Sequence, residues 1–155
     1  MGTTDMTSNG IFGAAATWAT SIALCGVLGC AGFNKVSESD VDSVQKSNAE
    51  QIAKRIYEGC RDGRHEPLGD EATSEMREAL TPEKIKATCA SLKSTFGDYQ
   101  SLDYVETWKQ GSTFRIYRFK GHFSNSAETP EIRVVIDGDS KLSGFWLKPW
   151  ADALR

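Results

Sequence analysis

The sequence predicts an α+β protein in which three helices cover one face of a curved, four-stranded antiparallel sheet. Three observations predict it. Apolar residues recur at helical spacing in three segments between Ser47 and Gly97, the period changes to that of β-strands after Gly97, and tight-turn residues separate the later runs. At 155 residues the chain is long enough for one domain with a modest core.

The first helix opens at a capping box formed by Ser47 and Glu50, with Ala49, Ile52, Ala53, Ile56 and Cys60 on one face and Gly63 as its stop. Residues 64–69 carry Pro67 and Gly69 and read as a loop. Asp70 caps a short second helix running to about Leu80, with Ala72, Met76 and Leu80 on its apolar side. Thr81 followed by Pro82 is a strong third start, because proline at the first helical position gives up no needed donor. Ile85, Cys89, Leu92 and Phe96 share a face of that helix, and Gly97 ends it. Strands follow at about 99–109, 113–123, 131–137 and 141–148, joined by Gln110-Gly111, the polar loop 124–130 and Asp137-Gly138-Asp139. Pro149 stops the last strand, leaving 150–155 as a C-terminal tail. Residues 30–47 are polar and read as a tether, so the folded domain is expected over 48–149.

Ahead of these lies an uncharged stretch from Gly10 to Phe33, long enough for the roughly 20 residues of a membrane span and without a polar stripe. It reads as a signal or anchor segment over residues 1–29, with a buried core helix as the alternative. Val27-Leu28-Gly29-Cys30 resembles a bacterial lipobox. The resemblance implies acylation of Cys30, a membrane anchor and a place in the bacterial cell envelope, exposed outside the cytoplasm. Asp5 precedes the apolar run and the first basic residue, Lys35, follows it. In an uncleaved span that order would favour a cytoplasmic C-terminal side.

TPEKIKATCASLKSTFGDYQSL, FRIYRFKGHF and IRVVIDGDSKLSGFWLKP together resemble the DUF3887 type of NTF2-like domain over residues 48–149, most specifically over 81–98 and 131–149. The resemblance implies a cone-shaped fold whose sheet wraps a long helix and can leave a cavity. It implies no activity, since one fold hosts enzymes and inert modules alike.

Charged residues make up 25% and the formal net charge is −3, with both signs interspersed, which disfavours nucleic acid as a partner. The basic and aromatic mixture of Arg115–Phe123 fits an alternating strand with one solvated face. Two histidines and no CxxC or HxxxH spacing leave no metal set, and no phosphate loop, GxSxG or Cys-His signature suggests a cofactor or a nucleophile. Cys60 and Cys89 lie on apolar helix faces that meet one core; they are either a disulfide of an exported protein or two buried thiols. Tyr104, Trp108, His122 and Trp146 are the ligand-binding candidates, as walls of a pocket at the open end of the cone. The function expected is a non-enzymatic, lipid-anchored module that binds a small apolar ligand or an envelope protein, with a homodimer through the sheet as a further expectation. The alternative is an isomerase- or dehydratase-like enzyme with His122, Tyr104, Asp103 or Tyr57 inside the cone.

Overall fold

The structure, a computed structural model, describes residues 32–125 and 129–154. The apolar segment 1–29 and the candidate acylation site Cys30 lie outside the described residues. Among the described residues there are three α-helices, α1 (Ser43–Asp62), α2 (Ser74–Ala79) and α3 (Pro82–Phe96), and five strands. The strands are β1 (Phe33–Lys35), β2 (Tyr99–Gln110), β3 (Phe114–Phe123), β4 (Glu131–Ile136) and β5 (Leu142–Lys148). They form one antiparallel sheet in chain order, so β1 and β5 are its edges.

The sheet thus has one strand more than the four expected, and it comes from the segment expected to be a tether. Phe33, Asn34 and Lys35 pair with Gln110, Lys109 and Trp108, and the Val36 amide donates to the Thr107 carbonyl. Three residues show too little alternation to signal a strand; the long end of β2 supplies the pairing partner. The same segment holds the true start of α1. Asp42 is its N-cap and accepts from the amides of Val44 and Gln45, so the helix begins before the Ser47–Glu50 box. Tertiary bonds hold this polar first turn: Tyr117 Oη donates to Gln45 Oε1, and Gln45 Nε2 donates to Ser140 Oγ. The second helix is shorter than expected, capped by Thr73 instead of Asp70. Thr81, Pro82 and Gly97 bound α3 as the sequence indicates.

The core lies between the helices and one face of the sheet. Ala49, Ile52, Ala53 and Tyr57 of α1 pack on Leu102, Tyr117, Phe119, Phe123, Ile132 and Val134. Tyr57 stacks on Tyr99 and meets Phe123 edge-on, so aromatic rings fill the middle of this layer. Burial pushes the Tyr57 phenol above its ordinary range, helped by the neighbouring Tyr99. Cys60 of α1 and Cys89 of α3 are joined by a disulfide, with Cα atoms 5.0 Å apart.

Two bulges in β2, between Tyr99 and Ser101 and between Tyr104 and Glu106, each reverse which side chains face the helices. Leu102 and Tyr104 therefore face inward ahead of the second bulge, and Thr107 after it. Asp103, Glu106 and Trp108 are turned to the outer face.

Candidate functional site

Beside β5 the helical layer stops short. α2 has only six residues, and its neighbouring segment covers only the start of β5: Leu142 donates to the Glu71 carbonyl and accepts from the Thr73 amide. Beyond that point an open groove of about 290 Å³ runs between β5 and the helices. Ile56 and Tyr57 of α1, Leu80 after α2, Ile85 and Leu92 of α3, and Phe145 to Leu147 of β5 line it. Ile56, Leu80, Leu92, Phe145 and Leu147 are each half-buried against the main core. The disulfide cysteine Cys60 forms part of the wall, and Thr88 of α3 also borders the groove. The lining carries no charged residue. Such a surface can desolvate an aliphatic chain without stranding a buried charge. A second, smaller apolar recess of about 140 Å³ adjoins it at Leu147, bordered by Phe96, Pro130 and Pro149.

The opposite face of the sheet is polar yet largely covered. Arg118, at the centre of β3, has a fully buried side chain. Its Nε and Nη2 donate to the two oxygens of Glu131, at 2.9 and 3.0 Å, and its Nη1 donates to Glu106. Lys35 closes on Glu106 at 2.7 Å, Trp108 Nε1 donates to the same carboxylate at 2.8 Å, and Arg133 Nε donates to Glu131 at 2.8 Å. Burial works to raise the Glu106 and Glu131 carboxyls, but these donors outweigh it and hold both below the ordinary range.

The four candidates for one pocket do not converge. Tyr104 faces the helices, where its hydroxyl meets Thr107 Oγ1 at 2.8 Å and the Lys46 ammonium lies over its ring. Trp108 is on the outer face against Glu106. His122 is also on the outer face, with Nε2 2.8 Å from Asp103 Oδ2, so neither residue lines the interior that the enzyme alternative requires. The β2 bulges and the strand alternation account for that placement. Trp146 is 45% exposed; its ring lies where a Cβ at Gly144 would stand, and the residue borders the apolar groove. Leu80 and Leu92 were legible in the sequence as apolar helix-face positions, and Phe145 and Leu147 only as part of the last strand. Their part in a groove depends on where α2 ends, which no pattern announces.

A family described as "Protein of unknown function (DUF3887)" matches the chain over residues 31–145. No curated protein matches it. Among solved structures, an NMR structure of a protein from Ruminococcus gnavus is similar, at 11% identity and a TM-score of 0.47, over 74% of this chain and 98% of that one.

Proposed function

The chain belongs to the DUF3887 family, and from that premise we propose that it is a non-enzymatic, NTF2-like binding module, lipid-anchored in the bacterial cell envelope, that holds a small apolar ligand in the groove beside β5. The observation that carries this reading is the groove: five half-buried apolar side chains around about 290 Å³, with no charged lining. That volume is at the lower end of the roughly 300–1,000 Å³ typical of small-molecule sites. The helical layer over an antiparallel sheet is compatible with the NTF2-like form, in which a sheet wraps a long helix such as α1. The Cys60–Cys89 bridge accords with an oxidising compartment. The exposed position of the Asp103–His122 pair, away from any enclosed cavity, favours binding over acid–base catalysis.

Two experiments test the reading. A dansylated fatty acid titrated into the protein is expected to bind saturably at one site. Leu92→Glu, which puts a charge into the groove wall, should weaken that binding by at least about tenfold while the fold persists. Equal binding by the variant would remove the groove as the site. For the anchor, the intact mass of the protein from its native membrane should show an acylated chain starting at Cys30. An unmodified full-length chain would refute it.

A further inference from the structure

The Cys60–Cys89 bridge joins the two helices that wall the apolar groove. Ile56, Tyr57 and Cys60 line the groove from α1, and Ile85, Thr88 and Leu92 line it from α3. These helices are held to the rest of the molecule unequally. α1 buries Ala49, Ile52, Ala53 and Tyr57 in the main core. α3 contributes no fully buried side chain to that core and only borders it, through the half-buried Leu92 and Phe96. Its two buried residues, Ile85 and Cys89, lie outside the core, and the helix packs chiefly on α1.

The ends of α3 are tied down separately. Leu80, just ahead of it, packs against the core. At the other end the Phe96 ring meets Phe123 at 5.7 Å, and the Phe96 carbonyl accepts from the Asn125 amide. Between those ends the disulfide at Cys89 fastens the middle of the helix. A segment with so few buried apolar contacts of its own opens locally at low free energy once such a tie is cut. The two sulfurs also differ in access. Cys89 is 5% exposed, whereas Cys60 is half-buried and borders the open groove.

We infer that the Cys60–Cys89 disulfide is a redox gate for the groove: a dithiol reductant that opens the bridge frees the middle of α3, loosens the wall of Ile85, Thr88 and Leu92, and lowers the affinity for the apolar ligand. The inference rests on the reading of that groove as the binding site. A thiolate of the reductant attacks Cys60 Sγ, and Cys89 Sγ leaves with the electron pair of the broken bond and takes up a proton. The second thiol of the reductant then displaces Cys60, giving two cysteine thiols and the reductant's own disulfide. The coupling runs both ways. Whatever factor reduction removes from the ligand affinity, bound ligand adds to the ratio of bridged to open protein.

The test titrates the dansylated fatty acid into the full chain, oxidised and after reduction with dithiothreitol. The reduced protein is expected to bind at least about tenfold more weakly; that factor is about 1.4 kcal/mol, less than the burial of one leucine side chain is worth. Hydrogen exchange should quicken at the amides of residues 86–92, while those of Ile132 and Val134 in β4 stay protected. Cys60→Ser with Cys89→Ser should match the reduced protein, and reoxidation of the wild type should restore its affinity. Saturating fatty acid should raise, by the same factor, the ratio of reduced to oxidised dithiothreitol at which half the bridges are open. Equal binding by the oxidised and reduced forms overturns the inference and leaves the groove reading standing. Loss of protection at Ile132 and Val134 on reduction also overturns it, since the bridge would then support the whole fold. No binding by the oxidised protein removes the groove reading and this inference with it.

Discussion

Arg118 is held between two carboxylates on β3, and removing it would leave Glu131 and Glu106 buried with too little positive charge around them. Arg118→Ala is therefore expected to cost about 3–5 kcal/mol, measured by denaturant unfolding. An apolar replacement of Arg118 together with Glu131 should cost less, because no charge is stranded. The same carboxylates set the acid response. Both have folded-state affinities for protons below the ordinary value, so their contribution is complete above about pH 4.5, where the unfolded chain is ionised. It is lost as pH falls through the depressed folded value. The thermal midpoint should drop between pH 5 and 3, and Glu106→Gln should flatten that drop. None of this was legible beforehand. In the sequence Arg118 is one base among several in an alternating strand, and its burial depends on Trp150, whose partner nothing in the segment after Pro149 announces. Gly97 is the opposite case. The sequence marks it as a helix stop, and its φ of 82° together with contacts to Ser124 and Asn125 leaves no room for a side chain. Gly97→Ala should destabilise by about 1–3 kcal/mol.

At the scale of elements, α3 was readable because its signals are local: a hydroxyl cap, Pro82 and Gly97 all act within one turn of the helix ends. The start of α1 was not, because two caps compete. Asp42 prevails over Ser47 through bonds made by Gln45 to Tyr117 and Ser140, residues far along the chain. β1 escaped for the same reason, since its pairing belongs to the end of β2. The disulfide ties α1 to α3 at the groove wall and closes a loop across a sequence separation of 29. Replacing both cysteines by serine should lower stability by about 3–4 kcal/mol on the chain-entropy estimate, seen as a lower denaturant midpoint. An unchanged midpoint would mean that packing of Cys89 and its neighbours, and not the cross-link, holds the helices together.

Over the whole molecule, the α+β order and the antiparallel meander followed from periodicity and turn residues, each a short-range property. Which face of the sheet each residue of β2 takes did not follow. It turns on two bulges in β2, each of which reverses the side-chain alternation that a regular strand would keep. Tyr104 and Trp108, four residues apart on β2, are parted by the second bulge, while His122 faces outward by the alternation of β3 itself, between the inward-facing Gly121 and Phe123. What the molecule presents instead is an apolar groove on one side of β5 and a tail-covered charged surface on the outer face of the sheet. The binding claim rests on that groove. Methyl spectra of isoleucine- and leucine-labelled protein titrated with dodecanoate address it most directly. Saturable shifts are predicted at Ile56, Leu80, Ile85, Leu92 and Leu147, with Ile116 on the outer face unmoved. Shifts centred on Ile116, or no saturable shift in the groove, would contradict the account.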